Sequence, residues 1–356
     1  MIEAILIILI GLFWHNKKKK SHPDFDFDNC VMKLVNTDNN SITIKENSVD
    51  ISRIKEYTGN TFKQFEFRPQ KFTQFIGQEE AKERAKTIIK KARRGIKAHL
   101  LVKGIQGHGK TVYIEIIAKE LGAKLIKRIG KQVNEDDIIN IINEINEAKE
   151  DYIMLFIDET DTMDWKILKI FNPIIESFEL AGKKIRPFIF AGATINKHKL
   201  LKTNPDTLDR IPHHIDFARY NGSEIIQIIQ QYKNQLYPDT NIDYKILNII
   251  SQNCKYNPRI AILSLLEDYI VEKDIEKVLK NHKIIKDGLT ETDIKILQVL
   301  KDSKRAKGAN ALAMASKLSE KEYTIEYEPY LYEENLIDRI PQRVITEKGK
   351  ELLANL

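Results

Sequence analysis

The stretch Gly104-Ile105-Gln106-Gly107-His108-Gly109-Lys110-Thr111 decides the fold of this chain. It matches the pattern GxxxxGK[ST], in which the backbone amides of a glycine-rich loop surround phosphate oxygens at a helix amino terminus. A strand is predicted over 99–103 and a helix over 111–121, which is the context that the motif requires. The candidate phosphate-binding residues are Gly104, Gly107, His108, Gly109, Lys110, Thr111 and Val112, with His108 needed only for its backbone.

A second apolar strand, predicted over 154–157, ends in two adjacent carboxylates, Asp158 and Glu159. Ligands bind at the carboxyl edge of a parallel sheet, so these carboxylates are expected beside the phosphate loop. In such a site Thr111 and Asp158 would hold Mg²⁺, while Lys110 would reach the β- and γ-phosphates. Glu159 would polarise the attacking water, so the two motifs predict hydrolysis of ATP with Mg²⁺. The nearby Asp161 and Asp164 are interpreted as the exposed start of a helix.

Strands that alternate with helices predict an α/β fold with a parallel sheet, including a further strand over 188–191 and a helix over 79–94. From 218 onward the pattern is helical, and a smaller unit begins at Gly288. The predicted parts are an apolar segment with a lysine run (1–20), a linker (21–64) that contains one short hairpin over 31–44, an ATPase large domain (65–217), a helical lid (218–287) and a C-terminal domain (288–356). His99 and the pair His213-His214, interpreted as exposed, are assigned no role.

The composition excludes several classes of protein. With 42% hydrophobic and 30% charged residues over 356 positions, the chain is not a disordered one. Two distant cysteines, Cys30 and Cys254, do not indicate a zinc site or a disulfide framework, and they fit a reducing compartment. The net charge of +6 is not a nucleic-acid signal, because residues 1–20 alone contribute +3.

Residues 1–20 combine an apolar run, Ala4–Trp14, with lysines at positions 17–20. The run is shorter than the about 20 apolar residues of a spanning helix, and its positive charge follows it, unlike that of a secretory signal. The positive-inside rule predicts an uncleaved membrane anchor, with the rest of the chain in the cytoplasm. The alternative is an amphipathic extension that packs on the protein.

Beyond the phosphate loop, the chain resembles the AAA+ ATPases, and within them the RuvB branch-migration motors, from about Phe65 to Leu353. The matching pieces are Arg68-Pro69 and Phe75-Ile76-Gly77 (the border of the adenine pocket), Gly192-Ala193-Thr194 (sensor 1), Leu208-Asp209-Arg210 (the arginine finger) and Asn257-Pro258-Arg259 (sensor 2). The resemblance implies nucleotide contacts from Arg68, Pro69, Ile76 and Arg259, and a polar contact near the γ-phosphate from Thr194. It also implies that Arg210 acts in the site of the neighbouring subunit; the alternative is a surface arginine.

Gly288–Asp293, Glu328–Leu331 and Leu336–Arg339 resemble the winged-helix domain of the same family. The resemblance implies a hexameric ring that hydrolyses ATP and drives branch migration on duplex or four-way junction DNA, in recombination and repair. The alternative is a membrane-associated AAA+ ATPase that loads or recruits a partner without moving DNA.

Candidate DNA contacts come from two local basic clusters rather than from net charge. Residues 288–356 contain eleven Lys/Arg and twelve Asp/Glu, yet phosphate contacts need only local cations. We predict contacts from Lys304 and Arg305 and, in the wing, from Arg339 and Arg343. The alternative is a winged helix that contacts protein.

One segment departs from the family pattern. The residues between Glu176 and Arg186 lead almost directly into the sensor-1 strand, whereas the family has a longer stretch with the β-hairpin that docks RuvA. This shortening argues against a RuvA-like partner.

Overall fold

In the computed structural model of this chain, the structure describes residues 37–38, 41–44, 47–50, 67–195, 205–303, 305–339 and 342–356. Within those ranges, no helix is both long enough and apolar enough to cross a membrane. The predicted anchor over 1–20, together with Cys30 and Lys304, lies outside the described residues.

The described part of the first unit, Met1–Phe65, is an antiparallel sheet of three strands. Its strands are β1 (Thr37–Asp38), β2 (Ser41–Ile44) and β3 (Asn47–Asp50). Thr37 pairs with Ile42, which confirms a hairpin in the predicted region, and the β2–β3 hairpin follows it.

The second unit, Glu66–Leu356, contains the phosphate loop. Its strands are β4 (Leu100–Lys103), β5 (Lys124–Ile129), β6 (Ile153–Asp158), β7 (Glu179–Leu180), β8 (Lys183–Lys184), β9 (Ile189–Thr194), β10 (His213–Asp216), β11 (Ile284–Lys286), β12 (Leu289–Thr290), β13 (Ile337–Asp338) and β14 (Val344–Ile345). Five of these strands form one parallel sheet in the order β10-β4-β9-β6-β5, which confirms the predicted α/β fold.

The helices of the second unit follow the predicted alternation. They are α1 (Glu79–Arg93), α2 (Lys110–Leu121), α3 (Glu135–Glu147), α4 (Trp165–Ser177), α5 (Pro205–Asp209), α6 (Gly222–Leu236), α7 (Tyr244–Asn253), α8 (Ile260–Leu266, wound as a π-helix, continuing over Glu267–Glu272), α9 (Ile275–Asn281), α10 (Glu291–Asp302), α11 (Ala309–Ala315), α12 (Glu320–Glu322, a π-turn over Tyr323–Tyr327, and Glu328–Glu333) and α13 (Glu347–Ala354).

The central sheet is covered on both faces, which explains the apolar runs of its inner strands β4, β9 and β6. Side chains of α1 and α2 pack on one face, with Ala85 and Ile88 fully buried. Side chains of α3 and α4 pack on the other, around Ile141 and Phe171. Because the strands are parallel, β4, β6 and β9 all end at the same edge, and the chemistry-bearing residues predicted from the sequence meet there.

Two further apolar clusters lie beyond the sheet. Helices α6–α9 enclose one around Ile229 and Leu265, and α10–α13 with β13–β14 enclose the other around Leu297 and Leu331. The segment 218–287 is not helical throughout as predicted, because β11 ends it by pairing with β12.

The predicted lack of a role for His99 is wrong. Its ring is fully buried, with Nδ1 accepting from the Phe190 amide (2.9 Å) and Nε2 lying 3.0 Å from the Ile175 carbonyl oxygen. Nε2 therefore carries the proton and donates, so the ring joins α4 to β9. Burial lowers the pKa of His99 to about 4, which keeps the ring neutral near pH 7.

The pair His213-His214 is not exposed as predicted. Both residues belong to β10 at one edge of the sheet, and His213 is buried with Nε2 3.3 Å from Lys91 Nζ. Burial lowers the pKa of His213. Because His213 is buried and His214 is half-buried, the pair belongs to the packed edge of the sheet rather than to the solvated surface.

Candidate functional site

A cleft of about 460 Å³ opens at the carboxyl edge of the parallel sheet. It lies between the phosphate loop, the ends of β6 and β9, and the helices α6 and α8. The predicted residues that line it are Arg68, Pro69, Ile76, Gly107, His108, Gly109, Lys110, Thr111, Val112, Asp158, Glu159, Thr194 and Arg259. The fold thus brings together residues that are up to 191 positions apart in the sequence.

The phosphate loop holds a conformation that only glycine adopts easily. Gly107 and Gly109 have φ angles of 85° and 89°, in the left-handed region. A Cβ on Gly109 would lie 3.2 Å from the Phe75 ring. The loop therefore needs glycine at these two positions for both backbone and packing reasons.

Lys110 begins α2 directly after the loop and is 9% exposed. Its ammonium donates to the carbonyls of Gly104 (2.8 Å) and Ile105 (3.0 Å). Burial lowers the pKa of Lys110, while the Asp158 carboxylate opposes that shift. The side chain is thus directed back over the loop, where it can reach phosphate oxygens.

Thr111 and Asp158 form a pair of oxygen ligands across the cleft. The Thr111 hydroxyl donates to Asp158 Oδ2 at 3.2 Å, and the backbone amide of Glu159 donates to Asp158 Oδ1 at 2.9 Å. A hydroxyl and a carboxylate are hard oxygen donors of the kind that Mg²⁺ prefers alongside water and phosphate. The residues present therefore fit the predicted Mg²⁺ site.

Glu159 is exposed at the end of β6 and has a φ of 50°. The left-handed conformation is unusual for a residue other than glycine, asparagine or aspartate, and such backbone strain concentrates at functional sites. It turns the chain sharply into the helical turn Thr160–Thr162. Glu159 is thereby separated from its neighbour Asp158 and faces the cleft.

Asp161 has a hydrogen-bond partner in the site that the sequence interpretation missed. The Thr194 hydroxyl, 1% exposed, donates to Asp161 Oδ1 at 2.6 Å. Asp161 is therefore not an exposed helix residue as predicted, whereas the exposed Asp164 does begin α4 by accepting from the Lys166 amide at 2.8 Å. The sequence feature that could have indicated this contact is that Asp161 lies two residues beyond Glu159, at the same edge of the sheet.

The lid side of the cleft contacts the phosphate loop directly. Asn257 Nδ2 donates to the Gln106 carbonyl at 2.8 Å, and the Arg259 amide donates to Asn257 Oδ1 at 3.0 Å. A Cβ on Gly107 would overlap the Asn257 carboxamide. Arg259 lines the cleft near Lys110, where its positive charge is one of the causes that lower the pKa of Lys110.

His108 has a side-chain environment that the motif did not predict. Its ring is 2% exposed and packs edge-on against Tyr220 with 5.6 Å between the centroids. The Tyr220 hydroxyl donates to the His108 carbonyl at 3.2 Å. Burial lowers the pKa of His108 to about 4, with Lys110 adding to the effect, so the ring is neutral and serves packing between the loop and the start of α6.

Arg210 does not line the cleft of its own chain. Its Nε donates to Glu176 Oε2 at 2.8 Å, and its Nη1 donates to the Asp206 carbonyl. The side chain is 29% exposed, at the end of α5. The geometry places Arg210 on the surface of the second unit, away from the residues that surround the phosphate loop.

The predicted DNA contacts have different environments. Arg339 is exposed, with its guanidinium 3.9 Å from the centroid of the Tyr332 ring. Arg343 instead donates to both carboxylate oxygens of Glu328, at 2.5 Å and 3.2 Å, and Glu328 is 4% exposed. Arg305 is exposed next to Lys304, which lies outside the described residues.

This fold and this cleft are those of an AAA+ P-loop ATPase with a helical lid and a C-terminal winged helix. Two family models match the chain, the Holliday junction DNA helicase RuvB P-loop domain over residues 67–200 and the RuvB C-terminal winged helix domain over residues 286–354. The chain belongs to the RuvB family.

Relatives and solved structures agree with this assignment. The chain is 31% identical to the Holliday junction branch migration complex subunit RuvB of Mycoplasma genitalium over 81% of this chain and 97% of that protein. It is 30% identical to the RuvB subunit of Ureaplasma urealyticum, over 82% and 97%. The solved RuvB motor of Thermotoga maritima matches with a TM-score of 0.70 at 27% identity, covering 81% of this chain and 98% of that one.

Proposed function

We propose that this protein is an ATP-driven motor that moves duplex DNA at four-way junctions. The single observation that carries the proposal is the cleft at the sheet edge, where a phosphate loop, an oxygen-ligand pair, an acidic residue and lid residues meet in a member of the RuvB family. The winged helix supplies the element expected to hold DNA.

The test is ATP turnover and junction remodelling by the full chain, with and without four-way DNA. Stimulation of turnover by the junction, with ATP-dependent conversion of the junction to duplex arms, is the expected result. Turnover that ignores DNA, together with no conversion, would exclude the motor and favour the loader as the alternative. The RuvB subunits of Mycoplasma genitalium and Ureaplasma urealyticum are named for branch migration, which supports the motor rather than the loader.

The predicted residues of the cleft have proposed roles in hydrolysis of ATP. Thr111 and Asp158 would hold Mg²⁺, which would supply positive charge against the phosphates. Lys110 and the loop amides bind the phosphates, and Glu159 accepts a proton from the attacking water. Thr194 and Arg259 orient the γ-phosphate from the sheet and from the lid, while Arg68, Pro69 and Ile76 border the base.

A ring is proposed because Arg210 is absent from the cleft of its own chain. An arginine that stabilises the transition state from a neighbouring subunit must lie on the surface, as Arg210 does. A hexamer is the size that the family resemblance implies.

Arg210→Ala should lower turnover by about 1,000-fold, within the range measured for arginine fingers. Mixing the variant with Glu159→Gln protein, which is itself nearly inactive, should restore part of the turnover, because an Arg210→Ala subunit keeps its own Glu159 and can receive Arg210 from a Glu159→Gln neighbour. ATPase assays over a titration of the two proteins measure this effect.

Two controls separate the finger from the ion pair within the chain. Glu176→Gln removes the partner of Arg210 but leaves the guanidinium, so it should retain turnover. Arg128→Ala is the control for losing an ion-paired surface arginine of any kind, because it removes the partner of Glu144. No restored turnover in that mixture, or equal loss in Glu176→Gln, would count against the finger.

Arg339 and Arg305 are the proposed contacts with DNA phosphates. Arg343 is proposed to hold the wing instead, because its guanidinium is committed to the buried Glu328. Lys304 lies outside the described residues, so its contact with DNA remains a proposal from the sequence alone.

Arg339→Ala should weaken binding of junction DNA and reduce the slope of log affinity against log salt by about one, the value for a single lost phosphate contact. Fluorescence anisotropy at several salt concentrations measures both quantities. Lys350→Ala, which removes an exposed lysine paired with Glu347 in α13, is the matched control and should leave the slope unchanged. An unchanged slope in Arg339→Ala would remove this residue from the DNA interface.

The RuvA-like partner is not part of the proposal. Strands β7 and β8 have two residues each and are joined by Ala181 and Gly182, so the hairpin after α4 is short. We propose a cytoplasmic protein; attachment by residues 1–20 to the cytoplasmic face of a membrane is a separate hypothesis that fractionation of cells can test.

A further inference from the structure

Residues 255–259, which we call the strap, link α7 to α8 and contact two distant parts of the molecule. One end contacts the phosphate loop and the other contacts the winged helix. No motif of the ATPase site requires the second set of contacts.

At the cleft end, Asn257 of the strap contacts the phosphate loop by a hydrogen bond and by close packing. Asn257 donates to the Gln106 carbonyl at 2.8 Å, and its carboxamide fills the space that the absent Cβ of Gly107 leaves. Arg259 lines the cleft. A nucleotide in the cleft would therefore contact this end of the strap.

At the other end, Lys255 donates to Asp293 Oδ2 at 2.7 Å. Asp293 belongs to α10 of the winged helix and is fully buried, and its Oδ1 has no hydrogen-bond partner within the described parts of the chain. The Lys255 ammonium also lies 5.1 Å from the centroid of the Tyr330 ring. Asp293 Oδ2 also accepts from the amide (2.7 Å) and the hydroxyl (2.6 Å) of Thr290, but removing Lys255 would leave the buried carboxylate without its countercharge, so the contact resists being broken.

Arg219 strengthens the same connection from the segment between β10 and α6. Its guanidinium lies 3.7 Å from the centroid of the Tyr256 ring in the strap and 5.6 Å from that of Tyr330 in α12. It also pairs with Glu334, and with Glu333 at 3.9 Å. One side chain thus joins the strap to the winged helix by stacking and by charge.

The backbone of the strap is strained where these contacts meet. Lys255 and Tyr256 have φ angles of 53° and 55°, both in the left-handed region. Two consecutive non-glycine residues in this region persist only when the surroundings hold them there. The strap conformation is therefore tied to the positions of the elements on both of its sides.

We propose that Arg219 and Lys255 are positioning residues that make the winged helix follow the strap. A nucleotide-dependent movement of Asn257 and Arg259 at the cleft is delivered through Tyr256 to α10 and α12. This inference rests on the proposed function, since the movement becomes useful work when the winged helix holds DNA.

The experiment measures the movement without DNA. One spin label is attached at Ile139→Cys in α3 of the ATPase large domain, and the other at Met314→Cys in the winged helix. Both positions are exposed, and the labels report the distance between the two parts. Cys30→Ser removes a competing thiol, and Cys254 is buried with its pKa raised to about 11, which suppresses its labelling. The background is Glu159→Gln, to hold ATP, and the distance is compared in ATP and in ADP by electron spin resonance.

Two variants break the connection, and the first of them has a conservative counterpart. Arg219→Met removes the stack and the ion pairs, and Arg219→Lys restores only the charge. Lys255→Met combined with Asp293→Asn removes the pair without leaving a buried charge. Lys283→Met is the matched control, because Lys283 pairs with Glu291 at the same border but both side chains are exposed.

In the control, the distance should change between ATP and ADP as it does in the unaltered protein. In Arg219→Met and in the Lys255/Asp293 variant, the change should fall to less than half. With Glu159 restored, ATP turnover should stay within about threefold while junctions converted per ATP fall about tenfold, a typical size for coupling between sites. Arg219→Lys should recover only part of the conversion.

Three results would overturn the inference: no distance change in the unaltered protein, an unchanged distance shift in both variants, or unchanged conversion per ATP. Failure of the proposed function is recognised separately. If the unaltered protein hydrolyses ATP but converts no junctions, the distance measurement still decides whether Arg219 and Lys255 couple the two parts.

Discussion

Lys110→Ala should abolish nucleotide binding at working ATP concentrations. The ammonium is nine-tenths buried and already directed over the loop, where it meets the carbonyls of Gly104 and Ile105. Hydrogen bonds to charged groups are worth about 1.5–3 kcal/mol each, so loss of two phosphate contacts weakens ATP binding by about 100-fold or more. Calorimetric titration with ATP in the presence of Mg²⁺ measures the loss.

Lys119→Ala is the matched control, because Lys119 lies on the same helix but is exposed and contacts Gln70. It should bind ATP as the unaltered protein does. Thermal unfolding of both variants without nucleotide shows whether the fold is intact. Retained ATP affinity in a folded Lys110→Ala protein would contradict the assignment of the phosphate loop.

Glu159→Gln should separate binding from chemistry. Glutamine has nearly the same shape and the residue is exposed, so the left-handed turn after β6 should survive. Without a carboxylate to accept the proton of the attacking water, turnover should fall by about 100-fold to 10,000-fold, the range for a general base. ATP affinity should change little, because Lys110, Thr111 and Asp158 remain.

The measurement pairs single-turnover hydrolysis with ATP titration. Asp164→Asn is the control, since Asp164 is a nearby carboxylate whose role is to begin α4, and asparagine serves that role equally well. It should hydrolyse ATP normally. Near-normal turnover in Glu159→Gln would remove Glu159 from catalysis, whereas loss of ATP binding would indicate that the residue holds the site together.

The phosphate loop, the strand that ends in Asp158 and the alternation of strands with helices could be predicted because each is local. Eight consecutive residues contain every feature that the loop needs, including two glycines in the left-handed region. The predicted helix over 79–94 is observed at Glu79–Arg93 for the same reason, since its apolar face repeats within the helix itself.

The predictions that were wrong concern polar residues whose hydrogen-bond partners are distant in the sequence. Asp161 receives its hydrogen bond from Thr194, 33 positions away, and His99 joins segments 76 and 91 positions away. Nothing near these residues in the sequence distinguishes a buried, bonded side chain from a solvated one. Burial and partner choice are properties of the packed sheet and its helices.

The contrast between local patterns and distant contacts also separates the features of this protein that could be predicted from those that could not. The class of chemistry could be predicted from consecutive residues, because a phosphate loop and its adjacent helix bind a nucleotide without help from distant segments. Packing in three dimensions determines that Arg343 is held by the buried Glu328 while Arg339 is exposed, and that Arg210 lies outside its own cleft. It also decided that the strap joins the phosphate loop to the winged helix, since that connection depends on Arg219, Tyr256 and Tyr330 meeting in space.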